Sequence, residues 1–237
     1  MMLSKQVITK RIFTMLFISL FSSAAWSLSF VEHTIKLANE GDAFQQSHLG
    51  VMYEAGNGVP QSYTKAIEWY QAAIDQGGYP TAHCHLGRMY YNGNGVKKDL
   101  QKAAEIFRKG DLQRDSCSQY VLGNMYYEGI GFHQNYASAF NFYEKAASAG
   151  HTSAKDKLAW MYYEGKGVRH DYSKALILFK ELAKYTLSFS SAQYQIGVMY
   201  YKGEGVNKDV LLAKEWFGIA CDNGNQGGCD VYREINK

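Results

Sequence analysis

Proline is nearly absent from this sequence, with two among 237 residues. Because proline breaks the interior of a helix, its scarcity leaves room for a succession of uninterrupted helices. The apolar run from Ile12 to Phe21 has ten residues, about half of what a membrane-spanning helix needs. The His-Glu-x-x-His, Gly-x-x-x-x-Gly-Lys and Gly-x-Ser-x-Gly motifs are also missing, which removes the usual sequence signatures of metalloproteases, phosphate-binding loops and serine hydrolases.

The N-terminal segment has the three parts of a secretory signal peptide. Basic residues open it, the apolar run follows, and small residues at 22–27 end it. Residues 1–27 are therefore predicted to be a signal peptide, cleaved after Ala25 or Ser27; the alternative is a buried amphipathic helix. No cysteine follows at the position of a lipid anchor, so the predicted location of the mature chain, 28–237, is the bacterial periplasm or the medium beyond it.

Removal of the signal peptide changes the charge of the chain. The full sequence has 25 Lys and Arg against 22 Asp and Glu, and residues 1–27 hold three basic groups and no acidic one. The mature chain is therefore neutral, with 22 groups of each sign. Without a basic excess, attraction to phosphate groups has no general source. Nucleic acid is therefore not an expected partner, and no membrane insertion is expected after the signal is removed.

A string that first spans Leu49–Val59 recurs four more times. Each copy has an apolar anchor, followed seven residues later by the first of two paired glycines. The anchors are Leu49, Leu86, Leu122, Leu158 and Ile196, at steps of 37, 36, 36 and 38 residues. A near-constant step of this length predicts an array of structural repeats.

Each repeat is predicted to form two helices, named helix A and helix B. Helix A contains the anchor and ends at the first paired glycine, which can take the left-handed conformation: Gly56, Gly93, Gly129, Gly165 and Gly203. Helix B begins six residues later at a good N-cap residue: Ser62, Asp99, Asn135, Asp171 and Asp209. A glycine beside four of the anchors predicts close approach of another chain segment: Gly50, Gly87, Gly123 and Gly197.

At these residues the chain resembles the Sel-one-like repeat (SLR) family, which is related to the tetratricopeptide repeat. The resemblance implies an all-α fold, a right-handed α-solenoid of about five helix-turn-helix repeats. The expected repeats are about 42–78, 79–114, 115–150, 151–188 and 189–224, with a partial C-terminal cap at 225–237 and a capping helix at 29–40. The chain departs from the family pattern at Ala159, at Phe132, and in the longer stretch from Tyr185 to Ser191.

The four cysteines fall into two pairs by position. Cys221 and Cys229 lie eight residues apart, and the cysteine-rich secreted branch of the SLR family looks similar, which implies a disulfide between them. Cys84 and Cys117 lie on successive A helices, three positions out of register. Similarly oriented positions of neighbouring helices are usually too far apart for a bridge, so we expect two free, buried thiols there.

The sequence offers little catalytic chemistry. The trio at 83–85 contains two histidines and a cysteine, but residues two apart on a helix point in different directions, so neither a metal nor a cofactor is expected. The family resemblance raises one alternative, a β-lactam-binding or weakly hydrolysing protein, and Ser62-x-x-Lys65 has the form of its nucleophile motif. The accompanying Ser-Asp-Asn and Lys-Thr-Gly elements are missing. The predicted function is therefore not enzymatic.

The side chains one residue before, two after and five after each anchor form three rungs on helix A, named the ladder. The first two rungs vary between charged, amide and aromatic side chains, which predicts a solvent-exposed, concave face. Exposed tryptophan, tyrosine and arginine are common at interfaces, and the expected partner is a protein or peptide bound by a monomer. The predicted contact residues are Trp160, Tyr127, Tyr163, Arg88, Tyr91 and Tyr201; the alternative is that the tyrosines only pack.

Overall fold

The computed structural model describes residues 29–77, 79–184 and 189–237. The predicted signal peptide, 1–27, and part of the long connection, 185–188, lie outside these residues. Twelve helices and no strand are found within the described ranges. None of those helices is long and apolar enough to cross a membrane.

The helices alternate as the repeats predict. Helix α1 spans 29–39. The A helices are α2 (Ala43–Ala55), α4 (Thr81–Asn92), α6 (Ser116–Glu128), α8 (Thr152–Glu164) and α10 (Ser190–Lys202). The B helices are α3 (Tyr63–Asp75), α5 (Leu100–Leu112), α7 (Tyr136–Ser148), α9 (Tyr172–Leu182) and α11 (Val210–Asp222). With α12 (Gln226–Ile235) beginning a sixth pair, the predicted fold class, an all-α repeat solenoid, is confirmed.

The chain divides into two compact units between Ile106 and Phe107. Within each unit the core is built from the anchors, the methionines three residues after them, and the small and aromatic residues of the B helices. In the first unit these include Leu49, Met52, Ala66, Tyr70, Leu86 and Met89. In the second they include Leu122, Met125, Ala139, Tyr143, Leu158, Met161, Phe179, Ile196, Met199 and Phe217.

The turn between helix A and helix B has the same construction in all five repeats. The predicted left-handed glycines are confirmed, with φ between 71° and 81°, at Gly56, Gly93, Gly129, Gly165 and Gly203. The predicted N-caps are confirmed as well: each cap side chain accepts a hydrogen bond from the backbone N–H three residues ahead, at Ser62, Asp99, Asn135, Asp171 and Asp209. This turn therefore fixes the start of every B helix.

Close contact between the two helices explains the glycine beside the anchor. A Cβ at Gly123 would lie 2.5 Å from the ring of Tyr143 on α7. The second paired glycine makes a different close contact: at Gly167 (φ 70°) a Cβ would lie 2.3 Å from the backbone of Tyr136, in the preceding B helix. The paired glycines thus end one helix and pack against the previous repeat.

All four cysteines are disulfide-bonded. Cys221, in α11, is bridged to Cys229, in α12, with their Cα atoms 4.6 Å apart. Cys84 and Cys117 are also oxidised, so the prediction of two free thiols is wrong. That prediction used only the usual spacing of neighbouring helices, which does not determine the redox state of an individual thiol.

Candidate partner-binding face

The ladder of the second unit is carried by α6, α8 and α10. Most of its side chains are half-buried, Gln195 is buried and Tyr201 is exposed. In the first unit, on α2 and α4, Arg88 is exposed and the other rungs are half-buried. Most of the ladder is therefore packed against the rest of the protein, and only Arg88 and Tyr201 are exposed. The variation between repeats predicts a freely exposed face, which the structure does not have.

Trp160 lies at the centre of the ladder in the second unit. Its ring packs edge-on against Phe179 of α9, with centroids 5.2 Å apart, and against Tyr163, at 5.9 Å. Burial raises the pKa of the Asp156 carboxyl group, and the neighbouring Lys157 and the indole N–H of Trp160 partly oppose this increase. One side of Trp160 is thus fixed in the repeat, while its half-buried ring remains accessible.

Tyr163 connects Trp160 to the next repeat. Its hydroxyl donates to the Glu204 carboxylate, 2.8 Å away, in the turn that follows α10. Burial, followed by the bond to Glu204, raises the pKa of Tyr163 to about 12. Tyr163 is therefore neutral at ordinary pH, and its hydrogen bond fixes the orientation of the side chain. Its ring then offers a partner a rigid apolar surface.

The ladder continues beyond α10 into a groove of about 450 Å³. Tyr194, Val198 and Tyr201 line it from α10, and Val231, Glu234 and Ile235 line it from α12. Val231 and Glu234 were not predicted as rungs because the last repeat has no apolar anchor. The signal was available, since the N-cap Asn225 lies seven residues before Tyr232, the same distance that separates Asp115 from Leu122.

The first unit places Arg88 and Tyr91 in a more polar setting. Glu54 accepts a hydrogen bond from the Tyr70 hydroxyl, at 2.6 Å, and lies 3.7 Å from the Nδ1 of His85. The nearby His85 is the main cause of the lowered pKa of Glu54, and Arg88 adds a favourable charge interaction. The Lys98 ammonium lies 5.9 Å from the ring centre of Tyr91.

An aromatic cluster in the first unit was not predicted. His48, a first rung of the ladder, contacts Phe30 and Phe44, and Phe44 in turn contacts Tyr79. Phe30 is 55% exposed and Phe44 is 51% exposed. These residues lie outside the repeated string, so comparison of the copies gives no indication of them.

The residues considered for catalysis have structural roles. Ser62 caps α3 by accepting from the N–H of Lys65, at 3.3 Å. The Lys65 ammonium lies 5.1 Å from the ring centre of Tyr53, so it is held over an aromatic face. In the described part of the chain, no group of three or more His, Cys, Asp or Glu side chains is placed to hold a metal ion.

Comparison with known proteins identifies the repeat. The model of the Sel1 repeat matches five segments, 46–78, 80–110, 118–151, 152–184 and 190–225. An uncharacterized protein of Haemophilus influenzae is 57% identical over 30 residues, which are 13% of this chain and 58% of that protein. This chain therefore spans less than two thirds of the length of that curated relative.

Two solved structures share the fold across most of the chain. One is a protective antigen present in uropathogenic Escherichia coli strains, displaying an SLR fold, with 31% identity and a TM-score of 0.78 over 85% of this chain and 43% of that one. The other is a Sel1 repeat protein from Oxalobacter formigenes, with 28% identity and a TM-score of 0.74 over 93% of this chain and 86% of that one.

Proposed function

Because the chain belongs to the Sel1 repeat family, we propose that it is an exported scaffold that binds a protein or peptide partner through the ladder. Sel1 repeats generally mediate protein interactions, and proteins built from them are generally non-catalytic scaffolds. The proposal is specific about the surface, which in the second unit is the helix A face centred on Trp160. In the first unit, Arg88 and Tyr91 are proposed separately as contact residues.

The continuity of the aromatic surface is the observation that carries this proposal. Trp160 contacts Tyr163, which is hydrogen-bonded to Glu204 just after α10, and Val198 and Tyr201 of α10 line the groove. Large aromatic side chains with few free torsions provide contact area at low entropic cost and are enriched at binding hot spots. A peptide or protein loop laid across α8, α10 and α12 would contact this surface along its length.

Export is proposed from two independent features. Residues 1–27 have the pattern of a signal peptide, and all four cysteines are oxidised. Disulfides persist in the periplasm and outside the cell and are rare in the cytosol. Fractionation of cells that produce the full chain, with N-terminal sequencing, tests this part: intact residues 1–27 on a cytosolic product would contradict it.

The second candidate function, β-lactam binding or hydrolysis, is not favoured by the geometry. The Ser62 oxygen accepts a backbone hydrogen bond, and the Lys65 ammonium lies over Tyr53. A nitrocefin assay of the purified protein and of its Ser62→Ala variant separates the two functions. Turnover that depends on Ser62 would contradict the scaffold proposal.

The scaffold proposal is tested by capturing partners from the envelope fraction and measuring the affinity of the purified partner. We expect Trp160→Ala to lose about 2 kcal/mol or more of binding free energy, which is about thirtyfold in Kd, with Arg88→Ala weakening it further. Trp69→Ala is the matched control, because Trp69 is a half-buried tryptophan of α3, outside the ladder. Unchanged affinity in the folded Trp160→Ala, Arg88→Ala variant would contradict the proposal.

A further inference from the structure

Two lysines lie next to one ladder residue, Tyr127. The ammonium of Lys157, a first rung of α8, is 5.7 Å from the ring centre of Tyr127. The ammonium of Lys166, in the turn after α8, is 5.8 Å from the same ring centre and donates to the Tyr127 hydroxyl at 3.4 Å. Tyr127 is therefore held between cationic groups contributed by the following repeat.

These groups retain unused hydrogen-bonding capacity. Lys166 pairs with Glu164 at 2.8 Å, so Glu164 and Tyr127 occupy two of its three N–H donors. Among the described residues, Lys157 has no carboxylate within 4.0 Å, although Asp156 is its neighbour in sequence. Within the same ranges the Tyr127 hydroxyl accepts a hydrogen bond from Lys166 and donates none.

The combination of lysines occurs in one repeat only. The first rungs of the other repeats are His48, His85, Val121 and Gln195, and the residues equivalent to Lys166 are Asn57, Asn94, Ile130 and Glu204. The repeat with both lysines is also the one with Trp160. A feature confined to one copy is not required by the repeat fold, because the other copies fold without it.

We propose that Lys157, Lys166 and the Tyr127 hydroxyl form a carboxylate-binding subsite of the ladder, which receives an acidic group of the partner while an adjacent apolar side chain packs on Trp160. This inference rests on the proposed function and defines the chemistry of the partner. Charge-assisted hydrogen bonds from ammonium groups to a carboxylate are stronger than neutral ones. The balanced charge of the chain after residue 27 favours a single carboxylate over a polyanion.

The subsite is tested with three matched peptides and the purified protein. The first, acetyl-Leu-Tyr-Glu-Leu-amide, has a side-chain carboxylate; the second, acetyl-Leu-Tyr-Gln-Leu with a free C-terminus, has a terminal one; the third, acetyl-Leu-Tyr-Gln-Leu-amide, has none. NMR of protein labelled with 13C at lysine Cε reports on Lys157 and Lys166. We expect at least one carboxylate peptide to shift both signals and to bind at least tenfold more tightly than the third.

Variants of the two lysines test whether these residues cause the difference in affinity between the peptides. Lys157→Gln and Lys166→Gln should each remove most of the difference between the peptides, and added salt should weaken it by screening. Lys174→Gln is the matched control, because Lys174 is an exposed lysine of α9, outside the ladder, whose ammonium also lies over a tyrosine ring, 5.2 Å from the centre of Tyr162. Equal binding of the three peptides, the absence of any binding, or an unchanged preference in Lys157→Gln would overturn the subsite.

The outcome is separable from that of the scaffold proposal. If Trp160→Ala abolishes partner binding while Lys157→Gln and Lys166→Gln leave the affinity and its salt dependence unchanged, the ladder is supported and the subsite is wrong. If partner binding is independent of Trp160, the scaffold proposal fails, and the peptide titration still decides whether the lysines bind carboxylates.

Discussion

The third and fourth repeats pack the same two helices with different side chains. In the third, Gly123 of α6 lies against the ring of Tyr143, whose hydroxyl donates to Asn124 at 2.7 Å. In the fourth, the equivalent residues are Ala159, Phe179 and Trp160, and the ring of Trp160 packs edge-on against Phe179. In these two repeats, therefore, the side chain two residues after the anchor matches the presence or absence of a hydroxyl on the helix B aromatic.

This difference changes how the variation along the ladder is interpreted. A buried hydroxyl without a partner is costly, so Tyr143 requires an acceptor such as Asn124, and Tyr70 obtains one from Glu54. Phe179 has no such requirement, which allows Trp160. Part of the variation that predicts a binding face thus has a packing cause, and binding at Trp160 depends on the side of its ring that the repeat leaves accessible.

The largest effect is expected from Gly123→Ala in the third repeat. The new Cβ would lie 2.5 Å from the Tyr143 ring, and overpacking of this kind costs about 1–3 kcal/mol. Because alanine also gains about 1 kcal/mol of helix propensity, the free energy of unfolding from urea titration should fall by about 2 kcal/mol at most. Ala159→Gly in the fourth repeat is the control, with a loss of about 1 kcal/mol from helix propensity. A stabilised Gly123→Ala protein would show that the close contact does not constrain the repeat.

A smaller loss of stability is expected when a tyrosine hydroxyl is introduced into the fourth repeat. Phe179→Tyr introduces a buried hydroxyl beside Trp160, at a cost of about 1–2 kcal/mol. In a Trp160→Asn background the same change should cost less, because the pair then matches Asn124 and Tyr143. A double-mutant cycle measures the coupling, expected at about 0.5–2 kcal/mol. A coupling of zero would contradict the link between the two positions.

The smallest effect concerns the helix A caps, Asp115 in the third repeat and His151 in the fourth. The Nδ1 of His151 accepts from the N–H of Ala154 at 3.3 Å, and burial is the main cause of its lowered pKa, partly opposed by Asp115. The unfolded chain then binds a proton at His151 more tightly than the folded chain does. The contribution of His151 to stability is therefore fully present above a pH of about 6.5 and is lost as the pH falls through the pKa of the folded state. The expected loss is about 1 kcal/mol or less.

His151→Asn removes the titrating group and keeps a cap residue of the type found at Asn225. The free energy of unfolding of this variant should change less between pH 7 and pH 5 than that of the unmodified protein. Thermal or urea unfolding at several pH values measures the difference. An identical pH dependence in the two proteins would show that titrating groups other than His151 cause it.

Features formed by residues close in sequence were predictable, and those formed across repeats were not. The B-helix caps and the glycine turns depend on residues within six positions of one another, so the repeated string was sufficient. The bond from Lys166 to Tyr127 spans 39 residues and that from Tyr143 to Asn124 spans 19, and both depend on how the helices pack. The oxidation of Cys84 and Cys117 could not be derived from helix register either.

The paired-glycine turn also limits where the chain can change length. From each anchor to the following N-cap the separation is 13 residues in all five repeats, whereas from N-cap to the next anchor it varies between 23 and 25. Gly167 has no room for even one extra carbon, while the space beside Gly77 and Gly150, after the B helices, is open. Insertions and grafted epitopes are therefore tolerated between repeats and excluded within them.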